Sequence, residues 1–209
     1  MIWRRIVTRW TATPGRDITT AMLATRGFVA IDVETTGLDP GRDALVAIAA
    51  VPFLGGGPAP GFVTLVNPGR AIPSASTAIH GITDADVAGA PRAADALPRF
   101  DGVCAGHVLV GHDVGFDLAV LAVARGAPAT AIALDTRRLA RAVGARGDDT
   151  RLESVAARFD IPVTGRHTAD GDARIAGCVF LALLPALERR GARTVADLLR
   201  LQRAASPYD

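Results

Sequence analysis

The chain has 209 residues, 49% of them apolar, with 23 basic and 21 acidic side chains and a formal charge of +2. That length suits one enzyme-sized domain with its own core, and the near-balanced charge excludes a polycation that coats nucleic acid. No apolar run approaches the roughly 18 to 20 residues that cross a bilayer, which excludes a membrane-spanning helix.

Residues 1–26 stand apart from the rest. Arg4, Arg5 and Arg9 mix with Ile2, Trp3, Ile6, Val7 and Trp10 before Pro14-Gly15 breaks the pattern. No apolar stretch of about 7 or more residues follows, so a signal peptide is not expected. The segment reads as a short amphipathic helix extending a domain over 27–209, either docked on it or anchoring it to a membrane surface or a protein partner. From Phe28 the pattern is orderly. Phe28–Val33, Leu45–Phe53 and Phe62–Val66 read as three strands of an antiparallel meander, with Gly55-Gly56-Gly57-Pro58 as a turn. Helix Arg92–Cys104 leads to strand Val108–Val110, and helix Phe116–Arg125 to strand Ile132–Leu134. Asp135-Thr136 caps a helix running to about Val143, and Leu152–Phe159, Ala169–Glu188 and a segment from Thr194 are helical. Strands first and βα alternation afterwards predict an α/β domain with a mixed sheet.

Two composition signals are weak. Every basic residue is arginine, a fork suited to phosphate, but the Ala and Gly excess beside it fits GC-rich codon usage better. Arg137, Arg138 and Arg141 on one helix form either a track for a nucleic-acid backbone or a solvated face. Cys104 and Cys178 have no CxxC or Cys/His spacing, which points away from zinc and disulfides and towards a reducing, cytoplasmic setting.

Chemistry is concentrated in three places. Asp32 and Glu34 lie two apart at the end of an apolar strand, so they share one face while Ile31 and Val33 share the other. Two such anions repel and raise each other's pKa unless a cation joins them, and hard oxygen ligands favour Mg²⁺ or Mn²⁺. Gly111-His112-Asp113-Val114-Gly115-Phe116-Asp117 follows a strand and puts Asp117 near a helix start, where capping is a competing explanation. His167-Thr168-Ala169-Asp170-Gly171-Asp172 opens the long C-terminal helix. Five helical residues turn through roughly 500°, so His167 is expected in a mobile loop and Asp172 inside the helix.

The ordered set Asp-x-Glu-Thr-Thr-Gly, His-x-x-x-x-Asp and His-x-x-x-x-Asp resembles the DEDDh (DnaQ-like) exonucleases, the family of the proofreading epsilon subunit of bacterial DNA polymerase III. The resemblance runs from about Phe28 to Leu187 and takes in Ile79-His80-Gly81-Ile82-Thr83 and Leu134-Asp135-Thr136. It implies a ribonuclease-H-like fold with a five-stranded mixed sheet flanked by helices. It implies that Asp32, Glu34, Asp117 and Asp172 hold two Mg²⁺ or Mn²⁺ ions, with His167 as general base. It implies further that Thr35, Thr36, Gly37, Leu38, His80, His112 and Phe116 contact the terminal nucleotide. The implied activity is 3′–5′ hydrolysis of single-stranded DNA or RNA ends, releasing nucleoside 5′-monophosphates. Residues 1–26 have no counterpart in the epsilon-like core, and a polymerase or other protein partner is expected to bind through them.

Two positions depart from the family pattern. Val46-Ala47-Ile48-Ala49-Ala50 lacks an acidic residue that often contacts the terminal sugar, and Asp113 stands where Asn is usual. Two other functions compete: an idle module that binds nucleotides or protein, and a phosphodiesterase of very short oligonucleotides. Four retained carboxylates and His167 weigh against idleness, since clustered anions cost stability when nothing neutralises them.

Overall fold

The computed structural model describes residues 27–127 and 131–205; the N-terminal helix expected over 1–26 lies outside them. Six strands among the described residues form one mixed sheet. β1 (Phe28–Thr35) and β2 (Leu45–Leu54) are its centre, and their near-continuous apolar runs are what strands covered on both faces require. They pair antiparallel from Phe28↔Phe53 to Thr35↔Leu45, with a bulge between Glu34 and Thr35. β3 (Gly57–Pro58) and β4 (Phe62–Leu65) both pair with β2, at Phe53–Leu54 and at Ala47–Ala50, so they share its outer edge. On the other side β1 runs parallel to β5 (Val108–Gly111), which runs parallel to β6 (Ala133–Asp135). The sheet is thus five strands wide, as expected, and the two-residue β3 is the addition.

Helices α1 (Ser74–His80), α2 (Asp84–Val87), α3 (Ala93–Cys104), α4 (Gly115–Arg125), α5 (Thr136–Ala142), α6 (Leu152–Arg158), α7 (Ala169–Arg189) and α8 (Val195–Ala204), with a short 3-10 helix at Gly147–Thr150, complete the described chain. The last six match the sequence reading. α1 and α2 do not appear in it, because they are too short to show a periodic apolar face; α2 is marked only by its capping box, Thr83 with Asp86.

Residue parity along β1 decides what each face carries. Val29, Ile31 and Val33 pack with Leu97 and Phe100 of α3 and with Val120 and Leu121 of α4. Phe28 and Ala30 face the other way, with Ala47, Ala49, Val51 and Phe53 of β2, against Ala173, Ala176, Val179 and Phe180 of α7. Asp32 and Glu34 share the parity of Phe28 and Ala30, so they emerge on the α7 face. Small side chains bring α7 close: a Cβ at Gly177 would stand 2.2 Å from the Phe53 ring, which is stacked on Phe28 at 4.8 Å between centroids. At the far edge, the Gln202 side chain of α8 accepts the Asp135 N–H at 2.9 Å and donates to the Ala133 carbonyl at 3.2 Å.

This packing yields a paired test. Gly177→Ala gains helix propensity worth about 1 kcal/mol but drives a methyl into a locked ring, and overpacking costs about 1 to 3 kcal/mol. Urea unfolding should show a net loss. Gly102→Ala in α3, where a Cβ meets nothing within 4 Å, should instead gain up to about 1 kcal/mol.

Candidate active site

The site opens where two strands part. Pairing of β1 with β5 ends at Ala30↔Val110, which leaves the next stretch of the β1 edge free. α4 moves into that gap. A Cβ at Gly111 would lie 2.8 Å from Val114 and 3.2 Å from the Ile31 carbonyl, so only glycine lets the turn come this near. Asp117, in the first turn of α4, then accepts the Val33 N–H at 3.0 Å. Its carboxylate thus ties α4 to β1 and also meets its own backbone N–H at the helix start, while the N-cap residue, Val114, makes no side-chain cap bond. Asp32 and Glu34 reach the α7 face just beyond the pairing, and Asp172 stands in the first turns of α7. One ligand oxygen from each of Asp32, Glu34 and Asp172 lies within 4.8 Å of the others. Asp117 stands beside this trio, one backbone hydrogen bond away.

Burial makes the cluster electrostatically costly. Asp117 is 4% and Asp172 8% exposed. Desolvation, followed by Asp117, Asp172 and Glu34, raises Asp32 well above the ordinary carboxylate range, and Arg166 opposes the rise. Glu34 is raised to about 7 by burial and then by Asp172, and Asp117 to about 8, again chiefly by burial. Asp172 divides its two oxygens. Oδ2 takes Arg166 and the His167 N–H at 3.3 Å, while Oδ1 is buried with no hydrogen-bond partner among the described residues. A buried, unpartnered carboxylate oxygen beside two more carboxylates is the donor set of a hard divalent cation, and the residues fit Mg²⁺ or Mn²⁺.

His167 lies outside the helix, as expected, and is exposed with φ +59°. Its loop is pinned rather than loose. Thr168 donates its hydroxyl to the Gly165 carbonyl at 2.6 Å and accepts the Gly171 N–H at 3.2 Å as the N-cap of α7. A Cβ at Gly171 would stand 1.9 Å from the Gly165 carbonyl oxygen, so this glycine is what lets the loop lie against the helix. Arg166 pairs with Asp172 and, at 3.3 Å, with Glu153 of α6. Neither Arg166 nor Glu153 was visible as a site residue in the sequence. The one hint was an arginine directly before the motif histidine.

The residues expected to meet substrate fall into two groups. Thr35 and Thr36 are buried and use their hydroxyls internally, Thr35 on the Gly37 carbonyl at 2.5 Å and Thr36 on Asp43 at 3.0 Å. Asp43 also occupies the space a Cβ at Gly37 would need. What this turn offers outward is Leu38, 85% exposed. His80 is buried at the end of α1, with Nδ1 accepting the Ile82 N–H at 3.0 Å and Nε2 without a well-formed hydrogen bond among the described residues; burial lowers its pKa, and the Thr35 backbone opposes this. The His112 ring is half-buried with Nδ1 2.9 Å from the Thr136 hydroxyl, which itself donates to the Gly111 carbonyl. Desolvation pulls His112 to about 4, so it is neutral at pH 7. Phe116, four residues further along on α4, is half-buried.

Both departures have local answers. Ala47 stands opposite Glu34 across the strands and is buried, a place where an acid would add another repelling charge. Asp113 pairs with Arg137 and donates its N–H to Asp135 at 3.2 Å. Arg137 also bonds the Thr150 hydroxyl, and Arg138 lies 3.7 Å from Asp135, so these two arginines brace the second motif rather than forming a free track.

A pH signature follows. Carboxylates with raised folded pKa values bind protons more readily folded than unfolded, so stability falls with pH between the unfolded and folded values. For Glu34 that window runs from 4.5 to about 7, and for Asp117 from 3.8 to about 8. In EDTA, melting should therefore fall by several degrees from pH 5 to pH 8. Asp117→Asn keeps an acceptor for the Val33 N–H and loses the charge. It should flatten that slope and reduce the stabilisation that Mn²⁺ confers; an unchanged slope and increment would remove Asp117 from the cluster.

Known proteins resemble this chain in both sequence and fold. A model of the RNase_T exonuclease family matches residues 29–180. A DNA polymerase III subunit epsilon-like protein of Rhodobacter capsulatus is 44% identical over 180 residues, which cover 82% of this chain but 26% of that protein. DNA polymerase III subunit epsilon of Treponema pallidum is 34% identical over 75% of this chain and 76% of its own length. Among solved structures, exonuclease X in complex with 5′ overhanging duplex DNA superposes with a TM-score of 0.69 at 26% identity, covering 84% of this chain and 99% of that one. E. coli exonuclease I with a dT13 oligonucleotide shares the fold, at a TM-score of 0.69 and 18% identity over 79% of this chain and 42% of that one. Sheet, carboxylate cluster and sequence matches converge: the chain belongs to the RNase_T exonuclease family.

Proposed function

We propose that the protein is a metal-dependent 3′–5′ exonuclease that hydrolyses phosphodiester bonds at single-stranded DNA or RNA 3′ ends and releases nucleoside 5′-monophosphates. The observation that carries this reading is the trio Asp32, Glu34 and Asp172 with the unpartnered Asp172 Oδ1, flanked by Asp117. These four carboxylates would hold two Mg²⁺ or Mn²⁺ ions, which when bound polarise the scissile phosphate and make water a stronger nucleophile. His167, exposed beside Asp172, would take the proton from the attacking water. Histidine suits this task because its reference pKa, about 6.5, is near neutrality. Leu38 and Gly37 would meet the terminal nucleotide at one side and His112 and Phe116 at the other, while Thr35, Thr36 and His80 shape the turn beneath. The polymerase III epsilon relatives support a polymerase as partner, with residues 1–26 as the separate attachment segment of a domain over 27–209.

End-labelled DNA and RNA oligomers with Mg²⁺ or Mn²⁺ test this directly. A ladder shrinking from the 3′ end is expected, and one shrinking from the 5′ end, or none at all, refutes the reading. Asp32→Ala should abolish hydrolysis with the fold retained by circular dichroism. His167→Ala should lower kcat by about 10²- to 10⁴-fold, the usual share of a general base, with little change in KM. An unaltered rate at neutral pH would withdraw His167 as base.

A further inference from the structure

Arg166 is a cation that acts on three of the four carboxylates, Asp172, Asp32 and Glu34. It pairs with Asp172, whose side chain is 11% exposed, and with Glu153, whose side chain is 46% exposed. Water screens the Glu153 contact far more than the Asp172 contact, so the arginine's charge falls mainly on the buried carboxylates. Its reach extends past its partner, opposing the raised pKa of both Asp32 and Glu34. Arg166 is nevertheless not needed to orient Asp172 by itself, because the His167 N–H also holds Oδ2.

We propose that Arg166 is a countercharge residue that weakens divalent-metal binding and strengthens attraction for the phosphate backbone of the substrate. This rests on the exonuclease reading above. Ionised to hold metal, Asp32, Glu34, Asp117 and Asp172 would carry four negative charges, which two divalent ions would cancel, leaving nothing to draw in an anionic substrate. With Arg166 fixed among them, and the more exposed Glu153 screened by water, the loaded cluster would bear one positive charge, matched to one phosphodiester. The same fixed charge repels an incoming dication, and in a partly dry site that repulsion is only weakly screened. Arginine suits the role because it stays protonated and its fork can hold Asp172 and Glu153 together.

Opposite signs in two binding measurements test this. Titration calorimetry of the whole chain with Mn²⁺ alone should show Arg166→Met binding the ion about tenfold more tightly than wild type, a factor consistent with removing one nearby charge from a partly screened site. Fluorescence anisotropy of a labelled single-stranded phosphorothioate oligonucleotide, which resists hydrolysis, should show the same variant binding about threefold more weakly at saturating Mn²⁺. Arg166→Lys, which keeps the charge and loses the fork, should stay within about twofold of wild type for Mn²⁺. A role confined to holding the loop predicts weaker binding of both ligands by Arg166→Met, and that result, or unchanged Mn²⁺ affinity, overturns the proposal. Arg166→Lys binding Mn²⁺ as tightly as Arg166→Met overturns it as well. Because neither readout needs turnover, failure of the exonuclease reading shows separately, as a wild-type protein that leaves labelled oligonucleotides intact.

Discussion

Repulsion among carboxylates held out of water is the constraint on which the rest of this structure depends. Asp32, Glu34 and Asp172 share a space less than 5 Å across, and Asp117 is buried alongside. No surface arrangement needs such crowding, and the fold spends several devices on holding it. Strand parity turns Asp32 and Glu34 towards α7, alanines on β1 and β2 let α7 sink close, and the end of β1–β5 pairing admits Asp117. The bulge after Glu34 changes the register just where the chain leaves the sheet, and bulges re-aim side chains in this way beside functional sites.

The flanking charges form a second layer around that cluster, and they are mostly arginine to carboxylate. Arg137 answers Asp113, Arg138 faces Asp135, and Arg166 bridges Asp172 to Glu153. Asp135 gathers the N–H groups of Asp113, Arg137 and Arg138 on one oxygen, so the end of β6, the start of α5 and the turn before α4 are fixed to one another. The neutral His112 sits inside this frame. A chain with only arginine for cations has accordingly used many of them as braces, which is why their number overstates the positive surface available to a polyanion.

Much of this could be read before the fold was seen, for identifiable reasons. Asp32 and Glu34 announced themselves because a period of two in an apolar strand leaves no ambiguity about facing. The long helices were legible for the same kind of reason, since α7 repeats its apolar face over many turns. Asp117 was ambiguous because an acidic residue near a helix start is also a good cap, and only the distance to Val33, 84 residues away in sequence, separates the two. Short α1 and α2 left no periodic trace. The Arg166 to Glu153 contact joins a loop to a helix through side chains alone, and nothing local in either segment signals it. The spacing of His167 and Asp172 placed the histidine outside the helix but said nothing of what the loop bonds to; its contact with α7 comes from Gly171, whose missing side chain is uninformative until a neighbouring carbonyl is seen beside it.

The Gln202 contact with β6 has a consequence for solubility. β6 ends the sheet, and its outward Ala133 carbonyl and Asp135 N–H are the groups by which a bare edge recruits another strand. One amide side chain from α8 satisfies both, in the manner of a neighbouring strand reduced to a single peptide group. α8 thus serves as a shield against sheet-to-sheet association, and the hydrogen-bonding part of that protection is vested in one glutamine rather than in the helix as a whole.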